Sequence, residues 1–273
     1  RRGARVGGRK PRTPNPDPRR PEDGFPADGC HYLQWTHTRH DRDFHNATNA
    51  DLTVVLERLA AFERALYESQ GTPMPLTDPA RGLSGHVGVI KNFGRLVGGS
   101  LVHGHQQILH SNVLPRRIED DRRFLDRHGR SFACYLAERN PPELTIREYD
   151  RRVRLVTPFF MKRPLEAMAI VLAGAKSYLH DLGPREIRSL ARALSDVTRA
   201  ATLLMPALGR EVAYNLVFHT GPIGGLYVEM LPFTQPIGGY EQLGIYICVL
   251  TPEQSTRRYV ELLAAPRGRA PTR

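Results

Sequence analysis

The chain has 273 residues and a hydrophobic content of 40%, enough to bury a core and consistent with one large domain or two of half that size. No apolar run approaches the roughly 18 residues that would span a bilayer, and no secretory hydrophobic region follows the basic start, so a soluble cytoplasmic protein is expected. The formal charge of +11 and pI near 10.0 suggest a nucleic-acid partner, but the excess gathers at the two ends, and nucleic-acid binding is not expected of the body.

Residues 1–24 carry Arg1, Arg2, Arg5, Arg9, Lys10, Arg12, Arg19 and Arg20 among Pro and Gly, the composition of a disordered basic arm. Tyr32 to Trp35 reads as an entry strand. From Asp51 the apolar residues Leu52, Val55, Leu56, Leu59, Phe62 and Leu66 recur at helical spacing, with Asn49 as the expected cap and Gly71 as the expected stop. Val87 to Ile90 is strand-like, followed by a glycine-rich turn and a second strand through Ile108 and Leu109. Arg116 to Arg127 suits a charged helix, and Arg152 to Phe160 and Ala167 to Ala173 suit strands.

Gly183-Pro184 opens a helix whose apolar face is Ile187, Leu190, Leu194, Val197, Ala201 and Leu204, closed by Pro206. Strands are expected over Tyr214 to His219, Leu226 to Leu231 and Leu243 to Leu250. Thr251-Pro252-Glu253-Gln254 is the capping box of a final helix, and residues 264–273 form a second basic tail. The three cysteines, Cys30, Cys134 and Cys248, have no C-x-x-C spacing, which argues against a disulfide framework or a cysteine-rich metal module. Cys30 lies near His31, His37 and His40, but no closed tetrahedral set of ligands can be assembled there from sequence.

The densest chemistry lies in His103-Gly104-His105-Gln106-Gln107, just behind Gly98-Gly99-Ser100. In an extended strand residues 103, 105 and 107 share one face. A neutral imidazole there can attack phosphorus, a nearby carboxamide can donate to a phosphoryl oxygen, and a small-residue turn lets backbone amides approach the same anion. Two histidines separated by one residue also occur in ordinary polar strands and in metal sites, so spacing alone leaves those readings open.

Lys91-Asn92-Phe93-Gly94, Gly98-Gly99-Ser100 and His103 to Gln107 together resemble the signature of galactose-1-phosphate uridylyltransferases, nucleotidyltransferases of the histidine-triad superfamily. Tyr214 to Thr220, Val228 to Pro232, Gly239-Tyr240-Glu241 and Leu250 to Gln254 resemble the family's C-terminal half in the same order. The resemblance spans about residues 25–263. It implies an α+β fold of two histidine-triad-like lobes, 25–150 and 151–263, each an antiparallel sheet with helices packed on it. A weak internal duplication, with Asn92 and Asn215 each followed by a small-residue turn and a strand, agrees with that plan.

The resemblance implies that His105 is a nucleophile that carries a nucleotidyl group covalently from a nucleotide sugar to a sugar phosphate. His103 would orient the His105 ring, its backbone being one route to that, and Gln107 would donate to a phosphoryl oxygen. Asn92, Gly99 and Ser100 match phosphate-contacting positions, and Tyr240 and Glu241 match positions that touch the sugar phosphate. Phe25 lies in a stretch only vaguely like the family's base-binding loop. Family members are commonly dimers, which implies a homodimer here.

Three departures qualify the resemblance. His40 and His103 match two zinc ligands of the family, but the cysteine pair that completes the site is missing, which argues against zinc. The histidines of a second metal cluster are replaced around Leu226-Tyr227-Val228. Gln235 and Ile247 stand where galactose-specific members carry a Lys and a Gln. The acceptor therefore stays open between a sugar 1-phosphate and, for a phosphorylase or hydrolase of nucleotide-sugar or dinucleotide substrates, phosphate or water, and a nucleotide-binding protein without catalysis is a further alternative.

Overall fold

The computed structural model describes residues 27–69, 74–173 and 176–265. The basic arm of residues 1–24, Phe25 and the tail from residue 266 lie outside the described residues, as does Gly71, the expected helix stop. In chain order the elements are β1 (Gly29–Trp35), α1 (Asn49–Glu68), β2 (Leu76–Asp78), β3 (Leu83–Ser84), β4 (His86–Phe93), β5 (His105–Ser111), α2 (Arg116–His128) and α3 (Phe132–Arg139). There follow β6 (Thr145–Tyr149), β7 (Val153–Val156), β8 (Ala167–Val171), α4 (Pro184–Ala207), β9 (Tyr214–His219), β10 (Tyr227–Pro232), α5 (Gly239–Gln242) and α6 (Pro252–Ala264). None of these helices is long and apolar enough to cross a membrane.

Apart from the short β2–β3 ribbon, the strands form one eight-stranded antiparallel sheet in the order β1-β5-β4-β9-β10-β8-β7-β6. The α+β class stands, and the two expected half-sheets are fused edge to edge through β4 and β9. The expected division at residue 150 cuts the β6–β7 hairpin: β6 lies at the far edge of the second strand group, so the first group ends with β5 at Ser111.

Successive strand residues point to opposite faces. On one face Val87, Val89, Ile108, Leu216, Phe218, Val228, Met230, Ala167, Ala169 and Leu155 pack with Leu52, Leu56 and Leu59 of α1, Leu190, Leu194 and Val197 of α4, and Tyr259 of α6. The opposite face is divided. Over β10, β8 and β7 the residues Tyr227, Met168, Ile170 and Val156 are covered by Ala133 and Leu136 of α3. Over β1 and β5 it is open, leaving Leu33, Trp35 and Leu109 about half exposed.

Local chemistry explains the ends of these elements. The cap of α1 is Thr48, not Asn49: its hydroxyl accepts from Asp51 N while the Asp51 carboxylate accepts from Thr48 N. The Thr251–Gln254 box caps α6 as expected. Helix α3, which begins at the Ser131 cap, was not apparent from apolar spacing. The expected strand over Leu243 to Leu250 does not form. That segment follows α5 as a turn and an irregular stretch, with Leu243, Ile245, Ile247 and Val249 all exposed, so its apolar run has no sheet edge or core to bury against.

Arg117 ties α2 to the sheet, donating to the Tyr227 hydroxyl and pairing with Asp121 while lying over the Phe132 and Tyr227 rings. Next to this clamp, His219 and Glu229 bond across β9 and β10 at 2.6 Å. His86 at the start of β4 is held neutral: burial, then repulsion from His110 and His219, depresses it from 6.5 to about 4. A folded-state value below the unfolded one means that protonation favours unfolding, so this residue destabilises the fold as pH falls from about 6.5 toward 4. We expect His86→Leu to gain roughly 2–3 kcal/mol of unfolding free energy relative to the parent chain over that interval, measured by urea titration at stepped pH.

Candidate active site

Strand β5 begins at His105, which is 4% exposed, and the residues before it close a cavity of about 640 Å³. The lining comes from Asp43, the end of β4 (Asn92 and Phe93), the turn from Gly94 to Leu101, and His103 to His105. Phe93 forms one wall and stacks on Tyr214 with ring centroids 4.9 Å apart. A second cavity of about 580 Å³ lies beside it, shares His103, and is bounded by Trp35, Asp51 and Arg58 among others.

The His105 ring is oriented by its own chain. Its Nδ1 lies 2.8 Å from the His103 carbonyl oxygen, and because a carbonyl can only accept, Nδ1 carries the hydrogen. In the neutral ring Nε2 is then the basic nitrogen, and it has no hydrogen-bond partner among the described residues. His103 is fixed in turn: its Nε2 donates to the His37 carbonyl at 2.6 Å, leaving Nδ1 to accept from His40 Nδ1 at 2.7 Å. Trp35 packs against both rings, with centroids 4.7 Å from His103 and 5.9 Å from His105.

Beneath these rings lies a charged layer that the sequence reading passed over. Lys91 is 1% exposed on the covered face, with its ammonium 2.7 Å from Asp43 Oδ1 and donating to the His105 carbonyl at 3.0 Å. Burial lowers the Lys91 pKa, and the Asp43 charge opposes that shift. Asp43 Oδ1 also accepts from Thr36 Oγ1 and Phe44 N, and Thr36 bonds Gln106. The available signal was a lysine in phase with Val87 and Val89, at a position where alternation calls for an apolar side chain.

The expected residues separate into three groups. His105, His103, Asn92, Gly99 and Ser100 meet at the cavity. Asn92 Oδ1 accepts from Asn215 Nδ2 at 2.7 Å, and the same Asn215 amide reaches the Val97 carbonyl, so a residue of β9 braces the turn. The amide of Gly99 is engaged by the Gly94 carbonyl and is not available to an anion. Glycine is required at 99 because a Cβ would fall 2.6 Å from that same carbonyl oxygen, and at 98 because φ is +85°.

Gln107 shares the open face with His105 but does not line the cavity. Tyr240 and Glu241 are not brought to it either. Tyr240 is exposed, and the Glu241 carboxylate accepts from Gly238 N and Ile247 N, bracing its own turn, while Gln235 donates to the Ile247 carbonyl. Arg95, which was not anticipated, is the arginine of the cavity wall, and its guanidinium has no hydrogen-bond or ion-pair partner among the described residues. Its signal was an arginine inside the glycine-rich turn.

The residues present do not fit a zinc site of the kind the resemblance suggested. His40 and His103 meet through their Nδ1 atoms, but no third His, Cys, Asp or Glu joins them in a metal-binding group among the described residues, short of a closed tetrahedral set. Cys30 is exposed toward the opposite end of β1, paired in register with His110.

The eight-stranded antiparallel sheet and its helices share the fold of solved uridylyltransferases. Superposition on a solved uridylyltransferase gives a TM-score of 0.73 at 20% identity, covering 86% of this chain and 76% of that one. An ADP-glucose phosphorylase from Arabidopsis thaliana, solved with bound ADP-glucose, gives 0.70 at 19% identity, covering 85% and 73%. The curated ADP-glucose phosphorylase of the same plant is 24% identical over 185 residues, covering 62% of this chain and 49% of its own length, so the chain spans about half of that relative. No family model matches the chain.

The packing of the glycine turn is directly testable. Gly99→Ala must push the backbone at Gly94 aside, and we expect it to cost about 1–3 kcal/mol in chemical denaturation. Gly129→Ala serves as the contrast: a Cβ there meets nothing within 4 Å, although its φ of +66° still carries a strain cost.

Proposed function

We propose that this protein transfers a nucleoside monophosphate, UMP or AMP, from a nucleotide sugar to a phosphate-bearing acceptor through a nucleotidyl-His105 intermediate. The observation that carries the reading is the Nδ1–H bond to the His103 carbonyl, which leaves Nε2 as the nucleophilic nitrogen of a ring lining a cavity of about 640 Å³. In the first step Nε2 bonds to the α-phosphorus, the bond from that phosphorus to the bridging oxygen breaks, and a sugar 1-phosphate leaves. The ring becomes cationic, and the His103 carbonyl stabilises the Nδ1–H that now shares the charge. In the second step an acceptor phosphate oxygen attacks the same phosphorus, the P–N bond breaks, and the neutral imidazole returns.

Asn92, Ser100 and Arg95 are the cavity groups suited to oxyanions, Arg95 most of all because it is cationic and uncommitted. Half-exposed Trp35, in the wall of the second cavity, offers a stacking surface of the kind a nucleobase uses. The leading acceptor is a sugar 1-phosphate. Inorganic phosphate is the second reading, favoured by the likeness in sequence and fold to an ADP-glucose phosphorylase.

Incubation with UDP-glucose or ADP-glucose should add one acid-labile nucleotidyl group by intact mass, and none in His105→Ala. Nucleotide binding without an adduct from any donor would leave only the binding-protein reading. Chasing the adduct with glucose 1-phosphate, galactose 1-phosphate, phosphate or water identifies the acceptor, and in that assay Arg95→Ala should raise the KM of an anionic acceptor about tenfold to a hundredfold.

The same reading includes a homodimer. Tyr240, Glu241 and the exposed apolar segment from Leu243 to Val249 would then approach the cavity from a second chain, whose own cavity is completed in return. Sedimentation at micromolar concentration should return the mass of two chains, and a monomer with full activity would remove Tyr240 and Glu241 from the site.

A further inference from the structure

We propose that the buried Lys91–Asp43 ion pair is the positioning element of this site, holding residues 103–105 so that the His103 carbonyl faces His105 Nδ1. The inference deepens the nucleotidyl-transfer reading and rests on it for the role given to His105.

The two charges stand where a side chain of the covered face would ordinarily be apolar. Lys91 follows Val87 and Val89 on the β4 face that packs on α1 and α4, with the Phe44 ring 5.3 Å from its ammonium. A buried ion pair is weak evidence for stability, because well-packed apolar residues of the same volume usually serve as well or better. Its presence calls for an explanation in what the two groups bond.

Both partners act on the backbone of the histidine loop. Lys91 Nζ donates to the His105 carbonyl at 3.0 Å. The Asp43 carboxylate packs directly under Gly104, so closely that a Cβ there would lie 2.5 Å from its carboxyl carbon, and the Gly104 carbonyl is held by Thr36 N at 2.8 Å. Hydrogen bonds thereby hold the 104–105 and 105–106 peptide groups, and the Asp43 carboxylate leaves Gly104, which joins the 103–104 and 104–105 peptides, no room to move toward it. The 103–104 peptide is the one whose carbonyl oxygen receives the Nδ1 hydrogen of His105. Glycine could rotate that peptide freely, and the charged layer prevents it. With the carbonyl turned away, the imidazole is free to carry its hydrogen on Nε2, and the lone pair leaves the nitrogen that the reaction needs.

The test compares Lys91→Met with Lys91→Met/Asp43→Leu. The single variant leaves a buried carboxylate unpaired and should lower the melting temperature, whereas the double variant removes both charges and should restore it. Adduct formation in the double variant should stay about 10- to 100-fold slower than in the parent chain, as for groups that orient a reacting ligand. Nitrogen-15 spectra of the His105 imidazole should show the Nδ1–H tautomer in the parent and a loss of that preference in the double variant, a change that a merely structural role would not produce. Asp43→Asn, which keeps the volume and one acceptor, carries the same two readouts if the double variant does not fold. A folded variant with the parental tautomer and parental adduct rate overturns the proposal. Absence of any adduct in the parent chain overturns the nucleotidyl reading instead, and the imidazole spectra still decide whether the pair fixes the ring.

Discussion

Strand alternation is the constraint from which the rest of this molecule follows. One face of a single antiparallel sheet is committed to α1, α4 and α6, so every second residue of β4, β5 and β9 is withdrawn from solvent and the residues between them are left to act. His105 and Asn92 belong to the open set, and the cavity forms where the glycine turn folds back over them. Lys91 is a charged side chain on the covered side, and its ammonium donates to the main-chain carbonyl of His105 at the start of β5.

The site relies on main-chain groups more than the sequence suggests. The His105 tautomer is set by the carbonyl of His103, the His103 tautomer by the carbonyl of His37, and the Gly104 peptide by an amide of Thr36. A carbonyl can only accept, so each contact fixes a hydrogen position without ambiguity, as a second titratable side chain would not. Arg95 and Ser100 stand at the cavity without such commitments, which suits groups that meet a mobile, anionic ligand.

What was legible in the sequence was whatever depends on local pattern. The apolar stripes of α1 and α4, the capping box of α6 and the strand–turn–strand block around His105 all lie where spacing puts them, because each is decided by residues within a few positions. Leu243 to Leu250 misled because β-propensity describes a fit to a sheet, and this segment pairs with no strand among the described residues. The capping role of Glu241 and the bracing role of Asn215 were not legible, since each depends on which distant or looped-back amides arrive nearby. Lys91 and Asp43 are separated by a whole helix and two short strands, and no periodicity links them.

The seam between β4 and β9 carries a consequence for how the molecule is made. Asn92 and Asn215, which meet across it, are 123 residues apart. During synthesis the histidine loop emerges long before the strand that braces it, so β4 waits as an unpaired edge while more than a hundred further residues are added. The nascent N-terminal part therefore holds His103 and His105 but not the strand that braces their turn, and the cavity is completed late, when β9 docks.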